Sequence, residues 1–301
     1  MKRSTYSGCA FFTLLLLAGP GVRADVPMRY IYPPPESASD QRYVYQWKIL
    51  ETALERTKAE YGAFVMEPSA FMTEKRQAFE LCNATGRISV MYLDTTPRFE
   101  RELIPIRIPV DKNLVGYRVF LIRKDTIANF DSVTSLDELR KFRYGLGLGW
   151  LDVGILESNG FKVVTGSSYD GLFEMLIARR FDIFLRAASE VAAEYDLHKS
   201  AMPALQIEDH ICLYYPLPMY FWFEKTAKGR RLAERAEKGM RQMIADGTYD
   251  RIFTEYYDAE IERLDLKHRK IFTIANPFVG PETPFHDKRL WFDPQSYHPV
   301  R

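Results

Sequence analysis

The chain has 301 residues and a formal net charge of +1, from 41 Lys and Arg against 40 Asp and Glu. Hydrophobic residues make up 47% and charged residues 27%, a balance that excludes a disordered chain. The near-neutral charge argues against nucleic acid as the main partner, because proteins that bind it carry a basic excess. The length suggests about two domains, or one large one.

Residues 1–24 have the layout of a secretory signal peptide. Lys2 and Arg3 precede the apolar run CAFFTLLLLA, and Val22-Arg23-Ala24 places small residues where a signal peptidase reads them. The run is shorter than the ~18 apolar residues that a membrane span needs. We therefore expect cleavage after Ala24, a periplasmic location and no stable insertion into a membrane.

Two cysteines remain after such a cleavage, Cys82 and Cys212. In an oxidising compartment an even pair could form a disulfide, since both fall in segments assigned below to the same lobe. The alternative is two small buried apolar side chains. Two cysteines so far apart in sequence do not make a zinc site, and the five histidines are scattered. We expect neither a metal nor another cofactor.

Strands and helices alternate along the mature chain. The predicted strands are 29–32, 63–66, 87–93, 103–110, 117–123, 143–148, 161–165, 181–185 and an aromatic region at 211–223 broken by two prolines. The predicted helices cover about 40–61, 73–82, 152–158 and 169–177, and two more lie between about 232 and 257. The capping pattern Ser135-Leu-Asp-Glu138 predicts one further, short helix. Repeated β-α-β units indicate mostly parallel sheets with helices on both faces, in two α/β lobes.

Ligands in such folds bind at the carboxyl ends of the strands. The loops after Tyr32, Leu93, Leu148 and Leu185 are therefore the candidate binding loops. A glycine-rich phosphate loop is absent from the sequence, because Gly145 to Gly149 lacks the G-x-G-x-x-G spacing. No pair of carboxylates stands out as an acid/base couple, so the residues do not motivate an enzyme.

Several segments occur in the order typical of one family, over roughly Tyr30 to Tyr257. They are Tyr32-Pro-Pro-Pro-Glu36, Arg87 to Arg101, Tyr117 to Ile122, Ser135 to Leu139 with Gly145 to Gly149, and Asp246-Gly-Thr-Tyr249 with Ile252 and Tyr256-Tyr257. The last is the most specific. With them the chain resembles the family 3 extracellular solute-binding proteins, which have the type II periplasmic binding-protein fold.

The resemblance implies two lobes with a hinge and an inter-lobe cleft. Lobe 1 would comprise 25–112 plus 209–268, lobe 2 would comprise 113–208, and 269–301 would form an extended C-terminal strap. Such a protein captures a small polar, carboxylate-bearing ligand, amino-acid-like or an organic acid, between closing lobes. It would act as a monomer and deliver the ligand to an ABC-type permease.

The resemblance also implies where the ligand is held. Arg101 falls on the arginine that grips a ligand carboxylate in the family, and Arg98 competes with it for that role. Arg186 stands where the family places an amine-binding aspartate, and arginine has only donors. Either the ligand is anionic and held by Arg101 and Arg186, or Arg186 pairs internally with Glu190 or Asp182.

Five further residues are candidates near the ligand. Trp150 could stack on it or belong to the core, and Asp152 could accept a hydrogen bond or cap the following helix. Tyr32 could stack on the ligand. Glu36 could bind it or hold the triple-proline turn. Tyr92 is interpreted as core or as cleft wall.

Two other functions remain open at this level. Some relatives of the family are dehydratases of cyclohexadienyl acids, and an arginine that binds a carboxylate would serve that reaction too. The departures at Arg98 and Arg186 and the long C-terminal strap are instead compatible with a sensor or interaction module that takes no part in transport.

Overall fold

The computed structural model describes residues 1, 26–34 and 43–300. The predicted signal peptide, its cleavage site after Ala24 and the candidate ligand residue Glu36 lie outside these ranges. In the described part of the chain, no helix combines the length and the apolar composition that crossing a membrane requires.

Lobe 1 is built on two small sheets that one serine joins. Its strands are β1 (Met28–Tyr32), β2 (Phe64–Pro68), β3 (Val90–Asp94), β4 (Leu103–Ile106) and β11 (Met219–Glu224). β1 and β2 are parallel, whereas β11 lies between β3 and β4 and is antiparallel to both. The Ser89 N–H donates to the Ile31 carbonyl, and the Ser89 hydroxyl accepts from the Ile31 N–H, both at 2.8 Å.

The helices of lobe 1 cover these sheets. They are α1 (Val44–Arg56), α2 (Lys58–Tyr61), α3 (Glu74–Cys82), α4 (Pro97–Glu102), α9 (Ala227–Ala245) and α10 (Thr248–Arg263). α1 and α9 approach so closely that a Cβ on Gly239 would lie 2.0 Å from the Ala53 carbonyl oxygen. A glycine is therefore required at this crossing.

Lobe 2 is a single mixed sheet with helices packed against it. Its strands are β5 (Tyr117–Arg123), β6 (Arg143–Gly147), β7 (Lys162–Gly166), β8 (Ile183–Ala187), β9 (Leu205–Ile207), β10 (Ile211–Tyr214) and β12 (Lys270–Thr273). Their order is β12-β10-β5-β8-β6-β7, with β9 also paired to β5. Its helices are α5 (Leu136–Leu139), α6 (Leu151–Ser158), α7 (Tyr169–Ile177) and α8 (Val191–His198).

The expectation of mostly parallel sheets is wrong for the strands that lead out of the hinge. β5 is antiparallel to β8, β9 and β10, and β11 is antiparallel to both its neighbours. Within lobe 2, β6 is parallel to β7 and β8, and β10 is parallel to β12. β5 and β11 each enter a lobe from the other one, so they are not linked to their neighbours by a local crossover helix.

The predicted boundaries of the lobes also need correction. Residues 209–268 were assigned to lobe 1, but β10 within them pairs with β5 in the sheet of lobe 2. The apolar pattern of 211–223 is continuous, and Pro216 and Pro218 mark the point where the chain passes from one sheet to the other. The strap assigned to 269–301 likewise begins as β12, parallel to β10.

Of the two alternatives for Cys82 and Cys212, the structure has free thiols and not the disulfide. Cys82 ends α3 in lobe 1, Cys212 lies on β10 in lobe 2, and both are free thiols. Cys212 is completely buried, and burial raises the pKa of its thiol to about 12. It behaves as the small apolar residue of the alternative interpretation.

The capping pattern before α5 is confirmed. The Ser135 hydroxyl accepts from the Glu138 N–H at 3.3 Å, and the Glu138 carboxylate accepts from the Ser135 N–H at 2.9 Å. This reciprocal capping box holds the start of the helix. The backbone and hydroxyl donors lower the pKa of Glu138 to about 2.

Two short segments, 107–116 and 215–218, connect the lobes. Asn113 joins them: its side-chain oxygen accepts from the Leu217 N–H at 2.7 Å, and its side-chain amide donates to the Tyr214 hydroxyl at 3.4 Å. Asn113 adopts a left-handed conformation with φ of 61°. Beside it, a Cβ on Gly116 would lie 2.4 Å from the Asn113 amide nitrogen. The hinge thus requires a residue that tolerates a positive φ at Asn113 and a residue without a Cβ at Gly116.

Replacement of Asn113 tests how far the hinge stabilises the whole molecule. Asn113→Ala removes both side-chain bonds, leaves the buried Leu217 N–H unpaired and puts alanine at a positive φ. We expect a loss of about 2–4 kcal/mol in the free energy of unfolding, measured by urea denaturation. The exposed Asn129→Ala serves as control, and an equal effect of both substitutions would contradict the role of the hinge.

Candidate functional site

The cleft wall of lobe 2 is organised by a buried arginine. Arg118, the second residue of β5, contacts Asp152 of α6 with 2.5 Å between Nη2 and Oδ1. The hydroxyl of Tyr215, on the second crossing segment, donates to the same oxygen. All three residues are buried. This triad therefore links the hinge to the first turn of the helix that follows β6.

Asp94 faces this triad from lobe 1, at the carboxyl end of β3. No described residue forms an ion pair with its partly buried carboxylate. Burial raises the pKa of Asp94 to about 8, and the carboxylates of Glu74 and Asp152 act in the same direction, against the guanidinium of Arg118. Asp94 is thus an acid without a cation of its own, placed where the two lobes meet.

The lobes touch beside this site. The side chain of Lys75, in the first turn of α3, lies 3.7 Å from where a Cβ of Gly149 would be. Gly149 follows β6, and its φ of +91° suits glycine. The elements that carry Glu74 and Asp152 therefore approach each other across the cleft.

Arg186 is paired internally, which is the second of the two predicted alternatives. Its guanidinium donates to both carboxylate oxygens of Glu194, at 2.6 and 2.5 Å, and to Glu190 at 2.7 Å. It also lies 5.1 Å from the centre of the Trp150 ring. Asp182 pairs elsewhere, with Arg143. Because two carboxylates already neutralise it, we do not assign Arg186 to an anionic ligand.

Arg98 and Arg101 lie on the exposed side of α4. Phe99 turns inward and packs on Trp222, with 5.6 Å between the ring centres. Arg98 pairs with Glu102 at 3.0 Å, and both are largely exposed. Arg101 is exposed, and its carbonyl oxygen accepts from Lys225. This placement explains why we assign neither arginine to the ligand.

Trp150 and Asp152 lie at the start of α6. Trp150 occupies the N-cap position, so the interpretation of Asp152 as the cap is wrong. Asp152 lies in the first turn and pairs with Arg118. The half-buried ring of Trp150 stacks on Phe184 at 6.4 Å and lies so close to Gly147 that a Cβ there would be 2.3 Å away.

Aromatic side chains form the wall of lobe 1 next to Asp94. Tyr32 packs on Trp47 at 4.8 Å, and Trp47 stacks on Phe221 at 5.8 Å. Tyr92 is buried and lies 6.1 Å from Phe221, as expected of a core residue, and it also lines a pocket within lobe 1. Lining residues of this pocket include Pro33, Trp47, Phe71, Met72, Glu74 and Tyr92.

Asp94 and Arg118 are two site residues that our sequence analysis did not single out. The loop after Leu93 was a candidate, and Asp94 is its first residue. Arg118 is the one charge in the buried stretch Tyr117 to Ile122. A charge inside a buried strand is the signal that could have found it, because such a charge needs a partner.

Comparison with known proteins identifies the fold. No protein-family model and no curated protein matches the chain. An ancestral arginine-binding protein bound to arginine superposes with a TM-score of 0.53 at 18% identity, covering 77% of this chain and 98% of its own. The amino acid ABC transporter substrate-binding protein AbpA of Streptococcus pneumoniae, bound to L-arginine, gives 0.53 at 12% identity, with 78% and 96% covered.

A third structure is an ancestral amino-acid-binding protein described as a precursor of cyclohexadienyl dehydratase. It gives a TM-score of 0.51 at 17% identity, with 77% of this chain and 95% of its own covered. At such identities the likeness shows the fold alone. The chain has two α/β lobes with the type II periplasmic binding-protein fold of these structures, as the sequence predicted.

The raised pKa of Asp94 predicts a pH-dependent stability. The folded state holds this proton up to about pH 8, whereas an unfolded Asp releases it near pH 4. The wild type therefore loses stability as the pH rises from about 4 to 8. We expect Asp94→Asn to exceed the wild type in unfolding free energy by about 1–3 kcal/mol at pH 8.5, and by much less at pH 5.

Urea denaturation at the two pH values measures this difference. The exposed Asp131→Asn is the matched control and should differ little from the wild type at either pH. If Asp94→Asn raises the unfolding free energy by the same amount at pH 5 and at pH 8.5, the titration of Asp94 is not the cause of the increase.

Proposed function

We propose that the protein is a periplasmic solute-binding protein of the family 3 type, which captures a small amino-acid-like ligand between its two lobes. The fold supports the class of function, and solved proteins of this fold include the two described above as bound to arginine. The closed form would then be recognised by a membrane permease of the ABC type.

The unpaired carboxylate of Asp94 is the observation that carries the proposal. Asp94 and Asp152 lie near each other at the cleft, and the guanidinium of Arg118 beside them is already paired with Asp152. A ligand ammonium or guanidinium group would favour the ionised form of Asp94, so its binding near neutral pH would release the proton that Asp94 holds in the free protein. A dicarboxylate would instead meet repulsion. We therefore favour the amino-acid-like ligand over the organic acid.

Arg118 is the complementary contact for a ligand carboxylate. Its Nε is buried, and it has no hydrogen-bond partner in the described part of the chain. Buried donors normally have a partner, so a ligand oxygen at this atom would satisfy it. A ligand that bonds to Asp94 of lobe 1 and Arg118 of lobe 2 at once would favour the closed arrangement, because it makes both contacts only there.

Calorimetric titration with four small molecules tests the proposal. The probes are L-arginine and L-glutamine, agmatine, which lacks a carboxylate, and succinate, which lacks an amine. We expect an amino acid to bind most tightly and succinate not to bind. Asp94→Asn should weaken the binding of the amino acid about 10- to 100-fold, since a hydrogen bond to a charged group contributes about 1.5–3 kcal/mol.

Two control variants sharpen this result. Asp131→Asn makes the same chemical change on the surface of lobe 2, and Arg101→Ala removes the arginine that the family resemblance placed at the ligand. Neither should change the affinity more than twofold. Tighter binding of succinate than of the amino acids, or an unchanged affinity of Asp94→Asn, would contradict the proposal.

One observation favours a second candidate, an acid/base enzyme on the same fold. Asp94, whose pKa of about 8 keeps its proton at neutral pH, lies near Asp152, which is paired with Arg118. Two carboxylates in such different environments can serve as an acid and a base. Proton NMR of the titrated mixtures separates the two functions: a bound ligand that stays unchanged for hours supports the binding protein, and a new product supports the enzyme.

A further inference from the structure

The C-terminal segment 274–300, which we call the strap, leaves the sheet of lobe 2 beside the hinge. The Ile274 N–H donates to the Tyr214 carbonyl at 2.9 Å, which extends the pairing of β12 with β10. The Asn159 side chain, at the end of α6, donates to the Ala275 carbonyl at 2.8 Å. The strap is therefore anchored first on lobe 2.

Within a few residues the strap bridges the two lobes. Phe278 packs on α6 of lobe 2, so closely that a Cβ on Gly154 would be 2.9 Å from its ring. Two residues later, a Cβ on Gly280 would lie 3.6 Å from the Glu100 carboxylate on α4 of lobe 1. Arg107 holds Glu100 in place through two bonds of 2.8 and 2.6 Å.

This bridge is short. Two residues of fully extended chain span at most about 7 Å. α4 follows β3, which ends in Asp94, and α6 carries Asp152. The strap thus connects the two helices beside the proposed ligand, and they cannot move far apart while both of its contacts persist.

The strap meets both lobes a second time at the hinge. The Phe292 N–H donates to the Lys112 carbonyl at 2.7 Å, and its carbonyl accepts from the Tyr117 hydroxyl at 3.0 Å. Its ring lies 5.4 Å from that of Tyr117 at the start of β5, and 5.8 Å from that of Phe253 on α10. Phe292 is 5% exposed, so this contact is part of the core rather than a loose surface attachment.

We propose that the strap is a tether that limits how far the two lobes separate at the cleft, and that it keeps the ligand-free protein near the arrangement described above. Hinge closure is the common motion of two-lobed binding folds, and here its range is set by the reach of the bridge between Phe278 and Gly280. The proposal concerns only the separation of the two lobes, so it does not depend on which ligand binds.

Lengthening the bridge tests the tether without removing its contacts. Six residues of Gly-Ser repeat inserted between Val279 and Gly280 add up to about 20 Å of chain. Spin labels at Lys162→Cys in lobe 2 and Lys228→Cys in lobe 1 report the separation, in a chain that also carries Cys9→Ser, Cys82→Ser and Cys212→Ala. We expect the mean distance in the ligand-free protein to rise by about 5 Å or more, with a wider distribution.

The matched control inserts the same repeat after His286, beyond the bridge, and should leave the distance unchanged. Phe278→Ala loosens the lobe 2 contact without lengthening the chain and should widen the distribution as well. Phe285→Ala removes a ring that stacks on Trp291 within the strap and should not. A distance distribution identical to that of the unlengthened chain in both bridge variants would overturn the proposal.

Discussion

The double passage of the chain between its two sheets is the constraint on which the rest of the molecule depends. The crossing segments are bonded to each other, through the side chain of Asn113 and through the Tyr215 N–H and the Gly116 carbonyl at 3.2 Å. Arg118 comes two residues after the first crossing, and Tyr215 opens the second. The hinge and the polar wall of the cleft are thus one piece of structure, and what positions the lobes also positions the groups that face a ligand.

Charge pairing, more than the number of charges, decides what this cleft can hold. The sequence makes Arg186 a candidate for binding an anionic ligand, but its guanidinium already forms ion pairs with Glu190 and Glu194. Arg118 shares its charge with Asp152. The carboxylate of Asp94 remains, and burying such a group without a cation is costly. A count of acidic and basic residues near the cleft would not show that Arg186 and Arg118 are paired whereas Asp94 is not.

Local patterns in the sequence predicted the parts of the fold that depend on local structure. The capping box at Ser135 and the strand from Tyr117 to Arg123 are examples, because caps and apolar runs act within a few residues. The same patterns could not place β10, since a continuous apolar run does not reveal which sheet each half joins. The site shows the same limit: a motif placed Arg98 and Arg101 at the ligand, but it could not reveal that Phe99 is the residue of this turn that packs inward and that both arginines are exposed.

The separation of Cys82 and Cys212, the free thiols in the described part of the chain, has a consequence for how the chain folds. Native Cys82 and Cys212 lie in different lobes, so a bond between them can form only while the chain is unfolded or misassembled. In an oxidising compartment, such a bond would be a kinetic trap that competes with productive folding. Once the sheet of lobe 2 has formed, Cys212 is buried and the raised pKa of its thiol withdraws the sulfur from thiolate chemistry, so formation of this sheet prevents such a bond.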